Sequence, residues 1–412
     1  MAGVSERLAE SGVHRVVAHL FCLFLACPIL NPAFGGDSRF TATTLYLYCV
    51  LPLLDPRFLA FHGRNIQGPA VAALMAALAA LAALNVGVAI RMVALALAIS
   101  YVFFLQREGR LELLGSYMLA SAAVAMVQFA LAIGGSPLAE YFYPNRMAAA
   151  LWGDMAILAR PAFEDGVLFP VRVAGLAREP SFFNLQALAV LFVHFFVARL
   201  FSQRWAVALM VMAVVLSFSK ITPVVLVCGI AVVLGRRLLN SLPLAITLGL
   251  WLAGATIAVS LLYEHMGGPW AVAQGRLGET LLHRTIGYFL LTELNPSELV
   301  FGIGRGTVLG ETGRFPYLDL VFGADKSASL VLAGSGAAQS VIEYGLVSTL
   351  VQMACAGWFG LGSAGLVMYL VFGLTMSPLV VTSHGVIAGF LALSLGRSDT
   401  RVRWWVWRRQ EA

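Results

Sequence analysis

Long apolar runs, separated by short arginine-bearing stretches, recur along the whole chain. The run 69–90 (PAVAALMAALAALAALNVGVAI) holds no charge over the roughly 20 residues that cross a hydrocarbon core. Apolar windows predict helices near 15–31, 41–56, 69–89, 91–106, 113–134, 182–199, 205–218, 221–235, 242–262, 339–359, 361–376 and 378–395. The stretch 205–235 is too long for one crossing. Its centre, Ser217-Phe218-Ser219-Lys220-Ile221-Thr222, is polar, so it splits into a tight hairpin. The pattern predicts an all-α fold, a polytopic membrane bundle of about 12 transmembrane helices forming a single membrane domain over 1–412.

Composition points the same way. Hydrophobic residues make up 60% of the chain and charged residues 12%, against roughly 25% charged in a soluble globule. A soluble protein this apolar cannot cover its own surface. The first apolar run, about 17–30, resembles a signal peptide in length, but the NPAFGGDSRF that follows lacks a small-x-small cleavage site. It reads as a retained first helix. The net charge of +6 does not imply nucleic acid, because the arginines sit between apolar spans as a topology signal. The cysteines (Cys22, Cys27, Cys49, Cys228, Cys355) fall inside apolar stretches without metal-ligand spacing and read as small core residues.

One set of short loops carries Arg57 and Arg64, Arg107 and Arg110, Arg199 and Arg204, Arg236 and Arg237. The two tails are also arginine-rich, and the alternate loops hold only Arg39, Arg91 and Lys220. Twelve spans place every basic loop and both termini in the cytoplasm of a bacterial cytoplasmic (inner) membrane protein. The Trp404-Trp405-Val406-Trp407 run among arginines reads as an anchor at the inner leaflet, against membrane lipids. Two long extracytoplasmic loops result, about 135–181 and 263–338. They hold most of the remaining charge, and long loops of this kind are usually functional. Within the second, 275–293 (GRLGETLLHRTIGYFLLTE) has the spacing of an amphipathic helix at the outer interface or capping the bundle.

Candidate chemistry gathers in and beside those loops. Arg178-Glu179-Pro180-Ser181 opens an apolar helix: Pro180 fits its first turn, and Glu179 lies near the positive end of its dipole. Arg178 at that mouth can bind phosphate with a bidentate fork. Arg276 and Arg284 lie two helical turns apart and can share a face. Snorkelling arginines on a solvated face are the plainer account. Phe301-Gly302-Ile303-Gly304-Arg305-Gly306 lacks the βαβ context of a nucleotide loop and reads as a turn that lets backbone approach a partner closely. Glu343, just inside the tenth span beside Gln339 and Ser340, is costly there and so a functional candidate; an interfacial Glu paired to a loop arginine is the alternative. His194 and His384 read as satisfied packing residues. No metal-ligand set appears.

Three segments in order carry a resemblance: G-L-A-R-E-P-S-F-F at 175–183, N-P-S-E-L-V-F-G-I-G-R-G at 295–306 after Arg276 and Arg284, and Q-S-V-I-E-Y-G-L at 339–346. Together they resemble the O-antigen polymerase (Wzy-like) and O-antigen ligase superfamily, polytopic bacterial glycosyltransferases of the GT-C class, over about residues 115–360. The resemblance implies a donor glycan on undecaprenyl diphosphate, an acceptor sugar hydroxyl attacking the anomeric carbon, and a lipid diphosphate that leaves. It implies that loop arginines bind the diphosphate, with Arg178, Arg276 and Arg284 at matching positions; Arg305, Gln339 and Ser340 stand beside them as candidate substrate contacts. The ligases' late-span histidine is missing here, where the chain reads Ala338-Gln339-Ser340. That departure favours polymerase over ligase and leaves the base unassigned between Glu343 and Glu179.

The expected enzyme is metal-independent and uses no cofactor, since converging guanidiniums can neutralise a diphosphate. Its partners are undecaprenyl-diphosphate-linked oligosaccharides and membrane lipids, with room for a chain-length regulator. The readings set beside it are the ligase that moves the glycan to lipid A-core, a transporter, and a non-catalytic assembly subunit. Transporters often carry inverted repeats and broken helices; the sequence shows no repeat, and its polar groups cluster in outer loops.

Overall fold

The computed structural model describes residues 2–34, 43–63, 86–153, 168–219, 222–274, 278–304, 315, 337–358, 360–373 and 382–396. It is helical apart from one antiparallel pair of two-residue strands, Ala33–Phe34 and Thr43–Thr44. The helices are α1 (Ala2–Ala26), α2 (Pro56–Gly63), α3 (Val86–Arg107), α4 (Glu112–Ile133), α5 (Pro144–Trp152), α6 (Pro180–Phe196), α7 (Arg204–Leu216) and α8 (Thr222–Leu234). There follow α9 (Arg236–Leu239), α10 (Leu244–His265), α11 (Pro269–Gln274), α12 (Gly278–Leu290), α13 (Pro296–Phe301), α14 (Ala337–Trp358), α15 (Ser363–Phe372) and α16 (Ser383–Leu395).

Most expected windows coincide with these helices to within a few residues. The 205–235 stretch breaks between α7 and α8 at its polar centre, although Lys220 itself lies outside the described residues. Most of the 69–89 window also lies outside them. The expected span at 41–56 is corrected: the segment forms two short 3-10 turns, Leu47–Cys49 and Leu51–Leu54. Pro52 removes a backbone donor, and Asp55 is extended (φ −91°, ψ 107°) ahead of Pro56, as a residue preceding proline must be. The loops expected at 135–181 and 263–338 contain structure of their own: a 3-10 turn (Pro137–Phe142) and α5 in the first, α11, α12 and α13 in the second.

The chain divides into two compact units, where the sequence predicts one domain. The first comprises Met1–Ile66, Ala94–Val227 and Val381–Leu391; the second comprises Gln67–Val93, Cys228–Val380 and Ala392–Ala412. Each gathers segments far apart in sequence, so no linker or shift in composition marks the division.

In the first unit α4 packs on α1 and α7, and α6 packs on α7. Buried amides tie the apolar helices together. Gln186 on α6 donates to the carbonyls of Leu25 (2.8 Å) and Ala26 (3.2 Å), closing the end of α1, whose last carbonyls have no partner within the helix. Asn184 donates to Val214 O (3.0 Å) and accepts from Thr222 Oγ1 (2.8 Å), which fixes the α7–α8 turn. Nearer the N-terminus, Asp55 Oδ2 meets both His14 Nδ1 and Tyr101 Oη at 2.6 Å; His14 and Asp55 are wholly buried.

In the second unit α10 packs against α12, α14 and α15. Tyr263 stacks on Phe289 at 4.8 Å, and Trp251 Nε1 donates to Tyr288 Oη (3.0 Å). The amphipathic helix expected at 275–293 is α12 over its described residues, ending at Leu290 and held on α10 by aromatic contacts, while 275–277 lie outside the described residues.

Among the described residues, α4 and α10 are long and apolar enough to cross a membrane, and seven further apolar helical segments of 10–17 residues accompany them, two of them being the later parts of α1 and α3. Large side chains at helical spacing stay uncovered on two of these helices: Ile246, Leu250, Ile257 and Leu261 on α10, and Val224, Val227, Ile230 and Leu234 on α8.

Candidate functional site

Most of the described sequence-predicted residues fall into two places, each within one unit. In the first unit the segment 173–177 is clamped to α4. Gln128 Oε1 accepts from the backbone nitrogens of Ala174 (3.1 Å) and Gly175 (2.9 Å), while its Nε2 donates to Gly175 O (2.8 Å) and Phe142 O (3.0 Å). Ser121 Oγ accepts from Leu176 N (2.9 Å). Gly175 has φ +54°, and a Cβ there would stand 2.7 Å from Ser121 O and 2.8 Å from the Phe183 ring. Only glycine fits both the backbone conformation and the space. The Gly-Leu-Ala portion of the motif is therefore a mounting for the Arg-Glu-Pro-Ser portion that follows it.

Pro180 begins α6, with Glu179 as its extended N-cap. Ser181 Oγ donates to Glu179 Oε2 (3.3 Å). Arg178 is half-buried, and its Nε and Nη2 are buried without a hydrogen-bond partner. Burial pushes its guanidinium below the ordinary arginine value, with Tyr46 acting in the opposite direction. A guanidinium with unmet donors, fixed beside the positive end of a helix, is arranged to receive an oxyanion.

In the second unit the glycine turn and the late helix meet. Asn295 N donates to Glu298 Oε2 (2.8 Å), so the Asn-Pro-Ser-Glu part of the motif is the start of a helix, with proline in its first turn. That helix, α13, packs on α14. Ile303 N donates to Ile342 O (2.8 Å), and a Cβ on Gly302 would stand 2.8 Å from Glu343 O. The close backbone approach expected of this turn is made onto the Glu343 turn itself. Helix α14 breaks at Gly345 (φ 80°, ψ 162°), two residues beyond Glu343.

Glu343 is 5% exposed and Oε1 accepts from Gln339 Nε2 (2.8 Å). Gln339 Oε1 and Ser340 Oγ are buried without partners. Polar residues continue along the helix beyond the break: Ser348, Thr349 and Gln352 are all buried.

The structure thus groups Glu343, Gln339 and Ser340 with the glycine turn, and Glu179 with Arg178. Arg284 sits half-buried on α12. Arg276 and Arg305 lie outside the described residues. Sequence reasoning missed Gln128 and Ser121, although an amide in the otherwise apolar 112–133 helix was a signal, because such a group must find partners. His194 proves to be a cap: its Nδ1 accepts from the backbone nitrogens of Leu200 (3.0 Å) and Phe201 (3.3 Å). Among the described residues no group of three or more His, Cys, Asp or Glu side chains is placed to hold a metal ion. No protein-family model matches the chain, and no curated protein or solved structure does either.

Proposed function

We propose that the chain is a polymerase that joins undecaprenyl-diphosphate-linked oligosaccharide repeats into a surface polysaccharide at the periplasmic face of a bacterial inner membrane. The observation that carries this reading is Arg178: a guanidinium with two buried, unpartnered donors at the mouth of an apolar helix. A lipid diphosphate leaving group requires such a cation at the membrane surface. The uncovered Leu, Ile and Val stripes of α8 and α10 support a bilayer as the surrounding solvent. In this reading the chain crosses the membrane many times, and the 41–56 segment, which forms short 3-10 turns, is not one of its helical spans.

The acceptor hydroxyl attacks the anomeric carbon of the donor sugar, and the bond from that carbon to the diphosphate oxygen breaks. The electron pair leaves with the diphosphate, where Arg178 compensates its charge. The hydroxyl proton passes to a carboxylate; Glu179 is the candidate in the first unit, next to Arg178, and Glu343 is the candidate within the second.

One observation favours a second reading, transport. The break in α14 at Gly345, with buried polar side chains on both sides of it, resembles the discontinuous helices of secondary transporters. The glycan profile of a strain lacking the gene separates the two. Loss of a polymerase leaves single repeats on the carrier at the outer face. Loss of a transporter confines them to the inner face, and loss of a ligase leaves long polymer on the carrier. Normal polymer in the deletion strain would overturn all three.

A further inference from the structure

Residues of three separated segments of the first unit are linked in a closed path of which Arg178 is one member. Tyr46 acts electrostatically on its guanidinium, and the Tyr46 ring lies 5.3 Å from that of Tyr48. The Tyr48 hydroxyl faces the Ser383 hydroxyl, yet neither closes a hydrogen bond of ordinary geometry. His384, the next residue, stacks on Phe182 with ring centroids 5.6 Å apart and planes 27° apart. Phe182 belongs to the first turn of α6, whose N-cap Glu179 follows Arg178 directly, so the path returns to its start.

This path holds an unusual surplus of donors. Arg178 Nε, Arg178 Nη2, Tyr48 Oη and Ser383 Oγ are all buried and without partners. Tyr48 is wholly buried and Ser383 is 3% exposed. Buried donors are seldom left unmet, and several along one such path call for an acceptor. A planar carboxylate satisfies the arginine fork but has few oxygens left for donors out of its plane. A tetrahedral oxyanion presents oxygens in several directions and suits a fork plus two hydroxyls.

We infer that Arg178, Tyr48 and Ser383 form one binding pocket for a phosphate-type group, walled on one side by the Phe182–His384 stack. The inference rests on the reading of Arg178 as the diphosphate residue and adds two neutral donors from distant segments. Hydroxyls supply hydrogen bonds without adding charge, so the anion is oriented while its departure stays possible.

The test uses the full chain purified in detergent, with two probes: inorganic pyrophosphate, and undecaprenyl diphosphate in mixed micelles. Tyr48→Phe and Ser383→Ala are each expected to weaken binding about tenfold. Neither is expected to lower the melting temperature of the unliganded protein, because each removes a hydroxyl that has no partner there. Binding of either probe, weakened by both variants, supports the pocket. Pyrophosphate alone marks a soluble phosphate ester as the source, and the lipid alone marks a headgroup. Wild-type affinity in both variants, or binding of neither probe by the wild type, overturns it. Chain elongation measured in parallel keeps the two proposals apart. A pocket without elongation defeats the polymerase reading alone, and elongation with binding unmoved by the variants defeats the pocket alone.

Discussion

A side chain on Gly302 would stand 2.6 Å from the backbone nitrogen of Gly345, and one on Gly345 would run into the Val300 carbonyl. The two glycines cross where neither has room for a β-carbon, with φ +79° and +80°. This crossing seats the glycine turn on the Glu343 turn. Gly345→Ala is therefore expected to destabilise the protein by more than the ~1–2 kcal/mol of the backbone conformation alone, because overlap adds to strain. Gly373→Ala is the control, since nothing lies within 4 Å of that position. Thermal unfolding of the two purified variants checks this, and equal melting temperatures would refute it.

Gln128 satisfies two backbone donors and two carbonyls with one amide. Gln128→Leu leaves those groups buried and unmet, at ~1–3 kcal/mol for each group that water cannot reach. The expected result is a lower melting temperature together with faster proteolysis near 173–177. Wild-type protection of that segment would show that Gln128 does not hold it.

Asp55 is the shared acceptor of two short bonds in a fully buried setting. Asp55→Asn disturbs both bonds at once, whereas Tyr101→Phe removes one partner and leaves one buried group unmet, at ~1–3 kcal/mol. Asp55→Asn should therefore lower stability more than Tyr101→Phe does. Chemical denaturation of both variants reads the order directly, and the reverse order would contradict it.

The helices were legible because apolar runs leave few alternatives for a backbone that must satisfy its own hydrogen bonds. The 41–56 window misled because its hydrophobicity outweighed Pro52 and Pro56 in the reading, although proline decides local geometry more strictly than hydropathy does. The proximity of Glu343 to the glycine turn was not readable, because the turn's partner lies some forty residues away and the only hint was glycine in both segments. Tyr48 and Ser383 carried no signal, since single hydroxyls in apolar stretches are common and only their shared lack of partners sets them apart.

Arg178→Lys keeps the charge but loses the planar fork. Under the polymerase reading it should retain little elongation while expression and melting temperature stay near wild type. Arg178→Ala should abolish elongation. Elongation rates of the purified variants on lipid-linked repeat test this, and full activity of the alanine variant would remove Arg178 from diphosphate binding.

The Glu343 carboxylate accepts one hydrogen bond, from Gln339 Nε2, while Gln339 Oε1 stays buried and unmet. In Glu343→Gln the new amide oxygen can keep the Gln339 bond, and the new amide nitrogen can donate to Gln339 Oε1. Fold and insertion should therefore survive, and the melting temperature should hold or rise, since an orphaned acceptor gains a partner. An amide cannot take a proton from the acceptor hydroxyl. If Glu343 is the base, elongation should fall by at least the ~10²-fold typical of losing general-base catalysis, with donor binding unchanged. The measurement is elongation by the purified variant beside its melting curve. Near-normal elongation in a well-folded protein would end the base assignment and pass it to Glu179. A lower melting temperature with activity retained would instead mark Glu343 as the partner of a positive group.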